Sequence, residues 1–164
     1  MEWGAEPSDS CRSIVRWAAR HGVPEVYGFE KGTSSHGGLV GSYTQVWRGP
    51  SGAWWFSSIR TSAFQADTEH AERIDRGARV RRKGVEGFFR ALDLTSFWAD
   101  EAWPEEGVHG VDGVTWYFGG VRAGVSRARQ LWSPSEGGDA FLLRRAFASA
   151  RPTFLAWARP PSRW

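Results

Sequence analysis

The residues best suited to covalent chemistry in this sequence are one cysteine and four histidines. Nucleophilic catalysis needs a serine or cysteine beside a histidine base, usually on a turn such as Gly-x-Ser-x-Gly. That turn does not occur in the sequence, and Cys11 falls in a stretch with helical spacing, next to Arg12. We therefore expect Cys11 to be a partly buried structural thiol, and no catalytic residue is predicted.

A group of polar residues could hold a metal ion. Asp67, Glu69, His70 and Glu72 offer oxygen and imidazole ligands. Their spacing matches neither a His-Glu-x-x-His helix nor a calcium-binding loop, so a solvated loop is the simpler interpretation and metal binding stays open. The glycine-rich segment 31–38 has its lysine at the wrong end for a phosphate-binding loop and is expected to be mobile. The sequence predicts neither a metal nor a cofactor.

A run of cations favours a polyanionic partner. It lies within residues 73–90, which hold seven basic and two acidic residues, and comprises Arg73, Arg76, Arg79, Arg81, Arg82 and Lys83. Such a patch could neutralise nucleic-acid phosphates, and aromatic residues exposed nearby could stack on unpaired bases. The aromatic signature of the common RNA-binding sheet is missing, and a neighbouring acidic block would repel phosphate. Nucleic-acid binding through residues 73–83 is therefore the alternative function.

Aromatic and arginine residues on predicted strands favour protein binding instead. Interfaces prefer Trp, Tyr and Arg as anchors, and charged rims of both signs add specificity. We expect a protein-binding surface formed by Trp47, Trp54, Arg127 and Arg129. The acidic stretch 100–112 is a second candidate surface, because charge blocks of alternating sign steer association with charged partners.

Apolar spacing and turn residues predict about three helices and five or six mostly antiparallel strands. The spacing predicts helices near 10–21 and 85–92, and a third helix with Ser135 as its cap. Turn residues predict one hairpin around 49–52 and another around 122–124.

The remaining segments complete one α+β domain. Residues 64–72 are polar and are expected to form a loop or a short helical turn, and a strand is expected over 73–82. The 164 residues contain neither an internal repeat nor a Pro/Gly-rich linker, so a single α+β domain over 1–164 is predicted.

Composition narrows the class of protein. With 41% hydrophobic and 24% charged residues, the chain is an ordinary globular one. No apolar run reaches the length of about 18 residues that a membrane-spanning helix needs. The 11 tryptophans demand a large core, an interface, or both. A single cysteine and an N-terminus without a secretory signal favour the cytoplasm.

The C-terminal half carries a recognisable pattern. Asp112-Gly113-Val114-Thr115-Trp116 is followed, after a glycine-containing turn, by Arg129-Gln130-Leu131-Trp132-Ser133-Pro134 and a leucine-rich helix. This segment of about 40 residues resembles small uncharacterised bacterial proteins with a DG-x-x-W…R-x-W-S-P arrangement, some of which look like immunity or defence-accessory proteins. The glutamate that usually follows their first strand is replaced by Phe118-Gly119-Gly120.

The resemblance favours a binding role, and an enzyme with an unrecognised site stays the third hypothesis. The resemblance suggests a non-enzymatic, cytoplasmic bacterial protein that binds another protein, with the product of a neighbouring gene as the first candidate partner. It carries over no catalytic residue, because the matching positions form a turn, a hairpin and a helix start.

Overall fold

A computed structural model describes residues 11–35, 38–63, 69–104, 106 and 113–152. These residues form one 3-10 turn, Cys11–Ser13, and three α-helices: α1 (Ile14–His21), α2 (Arg82–Asp93) and α3 (Asp139–Ala150). They also form six strands: β1 (Glu25–Ser35), β2 (Gly38–Arg48), β3 (Trp54–Ala63), β4 (Glu69–Arg79), β5 (Val114–Arg122) and β6 (Val125–Trp132).

The six strands form one antiparallel sheet in the order β4-β3-β2-β1-β5-β6. β1 lies near the centre, where it pairs with β2 on one side and with β5 on the other. β4 is an edge strand and β5 lies towards the opposite edge, so the chain between them, which includes α2, crosses the sheet. The predicted α+β class with a mostly antiparallel sheet is confirmed.

One face of the sheet packs against α2 and α3 and is called the α2/α3 face. Phe29 of β1 stacks on Phe118 of β5 with ring centroids 4.7 Å apart, and both rings contact Phe147 of α3. Phe88 of α2 is fully buried and contacts both Tyr27 and Phe147. Aromatic rings bury large apolar areas, so this cluster is the main core of the protein.

The other face packs against the short helix α1 and is called the α1 face. Trp17 of α1 meets Trp47 of β2 edge to face, with ring centroids 5.8 Å apart. Gly28 and Gly119 lie opposite each other on β1 and β5, and a Cβ atom added at Gly28 would come within 2.9 Å of Ile14 Cδ1. The glycine pair therefore lets α1 approach the sheet closely, and both faces carry buried side chains.

The predicted helices are present with small differences at their ends. The helix expected over 10–21 is the 3-10 turn followed by α1, and the one expected over 85–92 is α2. The third is also present, but the prediction that Ser135 caps it is wrong. α3 begins at Asp139, and the residue at its N-cap is Gly138.

Both predicted hairpin turns are confirmed, at residues 49–52 and at 122–124. The second is tight, because Ala123 and Gly124 both have positive φ angles, 50° and 78°. Two residues of this conformation match the twist of the strands that they join.

Two segments expected to be loops are strands. Residues 31–38 form the paired ends of β1 and β2, except for 36–37, which lie outside the described residues. The polar segment 64–72 contributes residues 69–72 to β4, and 64–68 also lie outside the described residues. Backbone pairing requires no alternation of apolar side chains, so the sequence pattern gave no signal for these strand ends.

Candidate functional site

A groove of about 860 Å³ runs between α2, from Arg82 to Arg90, and the C-terminal end of α3. Five cationic side chains and one acidic side chain line it, together with small and apolar residues: Val80, Arg81, Arg82, Lys83, Gly84, Glu86, Gly87, Arg90, Ser149, Ala150, Arg151 and Pro152. The cationic side chains are exposed. The groove is therefore an accessible, positively charged surface.

The junction between β4 and α2 places the first cations. Val80 is buried, and its backbone N–H donates a hydrogen bond of 2.8 Å to the Trp54 carbonyl oxygen. Arg79 and Arg81, on either side of Val80, are exposed, and α2 begins at Arg82. Because one apolar residue anchors this junction, the arginines around it point to solvent.

Two glycines of α2 bring the helices together. A Cβ atom added at Gly84 would lie 3.0 Å from the Ser149 carbonyl oxygen, and one added at Gly87 would lie 3.1 Å from Ser149 Cβ. The helices run antiparallel, since Ser96, just after α2, donates hydrogen bonds of 2.9 Å and 2.6 Å to Asp139 at the start of α3. The floor of the groove is thus a close helix crossing of small residues.

Glu86 is the one acidic residue among the described residues that line the groove. Its carboxylate accepts a hydrogen bond of 2.8 Å from Arg82 Nε. Both side chains are largely exposed, 51% for Glu86 and 93% for Arg82, so solvent screens the pair. The first turn of α2 contains no acidic residue, so the helix dipole adds to the positive potential near Lys83.

Three of the six cations predicted from the sequence line this groove, and Arg79 is exposed at the end of β4 just before it. The other two, Arg73 and Arg76, belong to β4 in the backbone pairing, and their side chains lie outside the described part of the structure. The structure therefore brings Arg81, Arg82 and Lys83, the C-terminal half of the predicted basic run, together in one groove.

Sequence reasoning missed Arg90 and Arg151 as members of the groove. Arg90 could have been found, because it lies eight residues after Arg82 and four after Glu86, on one side of a helix. Arg151 directly follows α3 and reaches the groove only because the two helices pack antiparallel. Spacing in the sequence gives no signal for that contact.

The tryptophans predicted for a protein-binding surface lie on opposite faces of the sheet. Trp47 is on the α1 face with 1% of its surface exposed, so its expected exposure is wrong. Trp54 is on the α2/α3 face, half-buried, and meets Phe89 of α2 edge to face with centroids 5.1 Å apart. The structure does not bring the two tryptophans together.

Arg129, expected on the same surface, is 4% exposed and holds a connection in place instead. Its guanidinium donates hydrogen bonds of 2.7 to 3.2 Å to the carbonyl oxygens of Ser96, Phe97, Ala99 and Glu101 and to the Glu106 carboxylate. It also lies over the Trp103 ring, 4.7 Å from the ring centroid. The expected exposure of Arg129 is wrong because the chain after α2 folds over it.

Arg127 also binds the chain that follows α2, but with fewer hydrogen bonds than Arg129. Its guanidinium donates hydrogen bonds of 3.2 Å to the Trp98 carbonyl oxygen and 2.6 Å to Asp100 Oδ1. This hydrogen bond and the positive charge of Arg127 lower the pKa of Asp100. Two carboxylates in the described part of the acidic stretch 100–112, those of Asp100 and Glu106, thus bind Arg127 and Arg129 of β6. The acidic stretch and the arginines of the predicted protein-binding surface therefore partly neutralise each other's charge.

Several described residues of the C-terminal pattern have structural roles. The Ser133 backbone N–H donates to the Val114 carbonyl oxygen at 2.7 Å, and Ser133 Oγ accepts from the Val114 N–H at 3.2 Å. A Cβ atom added at Gly113 would collide with Ser133 and Trp132, so a glycine is required there. Trp116 is buried in the main core. The pattern closes a hairpin and, through Arg129, fixes the connection beside it.

Cys11 is buried, as a structural thiol would be. Burial, and secondly the charge of Glu30, raise its pKa well above the ordinary value of a thiol. The reactive form of cysteine is the thiolate, so this environment suppresses nucleophilicity. Of the four residues considered as metal ligands, Asp67 lies outside the described residues, and Glu69, His70 and Glu72 belong to β4 with their side chains outside the described part of the structure.

Within the described residues, no helix has the length and apolarity required to cross a bilayer. A scan against protein-family models finds no family that matches this chain, and a search of curated protein sequences finds no match. The resemblance seen in the C-terminal half therefore stays a prediction.

Proposed function

We propose that this protein binds nucleic acid through the groove between α2 and α3. The supporting observation is its charge: five exposed cations and one acidic residue surround a space of about 860 Å³. Lysine and arginine side chains that neutralise phosphates release condensed counterions, and this release supplies most of the affinity of non-specific binding. Nucleic acid is the common biological polymer that carries such a density of phosphates.

The earlier hypothesis, a protein-binding surface of Trp47, Trp54, Arg127 and Arg129, has less support. Two of these side chains are buried, and the other two pack against Phe89 and Asp100. The eight described tryptophans are all buried or half-buried. The aromatic and arginine residues on which that hypothesis depends thus contribute mainly to the fold.

A pair of matched charge reversals tests the proposal. The first variant is Lys83→Glu with Arg90→Glu in the groove; the control is Arg16→Glu with Arg20→Glu on α1, behind the sheet. All four side chains are exposed, and each double variant takes the net charge from +3 to −1, because each reversal removes two charges. Any difference in binding therefore reflects position and not total charge.

Fluorescence anisotropy with a labelled oligonucleotide of about 16 nucleotides at about 50 mM salt measures the effect. The groove variant should bind at least about tenfold more weakly than the unaltered chain, since two phosphate contacts become repulsive. The control should lose much less. Equal losses in the two variants, or no binding by the unaltered chain, would contradict the proposal. Circular dichroism confirms that both variants are folded.

Glu86 supplies a test in the opposite direction. Glu86→Gln removes the negative charge that pairs with Arg82, so affinity for the same oligonucleotide should rise by roughly two- to fivefold. Misfolding cannot produce such a rise. Poly-glutamate serves as a competitor. If it displaces the oligonucleotide at equal charge concentration, the groove binds acidic polymers in general, and an acidic protein partner then replaces nucleic acid as the leading proposal.

A cytoplasmic location remains part of the proposal. The single cysteine is a buried free thiol, as is usual for proteins of reducing compartments. A bacterial origin and a defence-related role rest on the C-terminal resemblance alone.

A further inference from the structure

Among the described residues that line the groove, none carries an aromatic ring on which a base could stack. Its floor is made by Gly84, Gly87, Ser149 and Ala150, where the two helices touch. Its walls are flexible cationic side chains, and the described lining residues include no aromatic ring. Base recognition by single-strand-binding proteins depends on aromatic platforms, so this chemistry fits phosphates and not bases.

The aromatic residues of α2 point away from the groove. Phe89 follows Gly87 by two residues, which places it about 200° around the helix, on the opposite side. There it packs against Trp54, with ring centroids 5.1 Å apart. Phe88 faces the core, where it is fully buried. The two rings of α2 are therefore committed to packing within the protein.

The cations of α2 are spaced to follow a strand of phosphates. Arg82 and Arg90 are eight residues apart, which corresponds to about 12 Å along the helix axis. Along the axis of a duplex, one strand carries a phosphate for each rise of about 3.4 Å, so a helix that lies parallel to that axis spans three to four nucleotides over this distance. Arg151 adds a cation from the other wall of the groove.

We infer that the groove holds the sugar–phosphate backbone and leaves the bases outside, so that binding depends neither on base identity nor on the presence of bases. The inference rests on the proposed nucleic-acid function. Double and single strands both bind, and the sequence of the ligand has little effect. With a net charge of +4 on the lining residues, about four phosphates are neutralised, so affinity for a duplex falls about 100-fold between about 50 and 200 mM salt.

Three ligands of equal length test the inference on the full chain: a mixed-sequence duplex, oligothymidylate and an oligomer of abasic deoxyribose phosphates. Oligothymidylate and the abasic oligomer should bind within about threefold of each other, since both present the same backbone charge. Trp54→Leu, which removes the half-buried ring beside α2, should leave both affinities unchanged. The Lys83→Glu, Arg90→Glu variant should weaken all three complexes.

The possible failures are distinguishable. If oligothymidylate binds and the groove variant weakens it, but the abasic oligomer binds more than about tenfold more weakly, bases are recognised; the inference is then wrong while the proposed function holds. The same conclusion follows if Trp54→Leu weakens oligothymidylate alone. If none of the three ligands binds at about 50 mM salt, the proposed function itself is wrong.

Discussion

Replacing Arg129 with methionine should destabilise the protein more than the same change at Arg127, two residues away on the same strand. Methionine preserves much of the side-chain volume and removes the guanidinium. At Arg129 this takes hydrogen-bond donors away from four backbone carbonyl oxygens and from Glu106, of whose side chain 18% is exposed. At Arg127 it removes one carbonyl contact and a pair with Asp100, of whose side chain 99% is exposed.

The magnitudes differ because the two environments differ. Removing one partner of a buried ion pair costs about 3–5 kcal/mol, since the remaining charge and polar groups stay desolvated. Solvent screens the pair that Arg127 makes with the exposed Asp100, so Arg127→Met should cost little. The four carbonyl oxygens do not add their full penalties, because a released connection rearranges and exposes some of them to water. We therefore expect about 3–5 kcal/mol for Arg129→Met.

Urea denaturation followed by far-ultraviolet circular dichroism and tryptophan fluorescence measures both values. Arg129→Lys is the second variant, in case the methionine variant does not fold. It keeps the charge but lacks the planar fork, so it should cost about 1–3 kcal/mol. A loss below about 1 kcal/mol for Arg129→Met, or equal losses at the two arginines, would refute the assignment of Arg129 as the residue that holds residues 96–106.

Three further outcomes follow from the packing and the pKa shifts. Gly84→Ala should lower the free energy of unfolding by about 1–3 kcal/mol, because the added carbon presses on the Ser149 backbone. At an open helix position the same change would stabilise the protein. A rise in the urea midpoint would contradict the close helix crossing. The pKa of Asp100 lies below its unfolded value, so its contribution to stability is present above about pH 4 and is lost as pH falls through the folded-state pKa. The difference in urea midpoint between the unaltered chain and Arg127→Met should therefore shrink in acid. A difference that stays constant with pH would count against the pair of Arg127 and Asp100. Cys11, whose pKa is raised by burial, should resist a thiol reagent at about pH 8 in the native protein and react in urea; a fast native reaction would show that the thiol is accessible.

The hairpins and helices could be predicted because their signals are local. Residues 49–52 form a turn by their own chemistry, and the apolar face over 85–92 defines α2 with Phe88 and Leu92 buried. The extended ends of β1 and β2 could not, because Gly, Ser and Thr residues there give no apolar alternation. Their conformation comes from pairing with each other and with the neighbouring strands.

Strand periodicity also could not tell which side chains are buried. Alternation places Arg127 and Arg129 on one face correctly, but it cannot show that the chain after α2 returns to cover that face. The same limit applies to Trp47, since α1 covers the face that the pattern left open. Burial of these residues is decided by contacts between segments far apart in sequence.

The charged segments of the sequence differ in how much of their charge is used inside the folded protein. Asp100 and Glu106, from the acidic block, are bound by Arg127 and Arg129 of β6, so part of each block is used within the protein. Among the described residues that line the groove, Glu86 is the one acidic residue beside five exposed cations. A repulsive effect of the acidic block on phosphate, expected from the sequence, is reduced where its carboxylates are already paired. In the part of the chain that the structure describes, the positive groove is therefore well placed to meet an external anion.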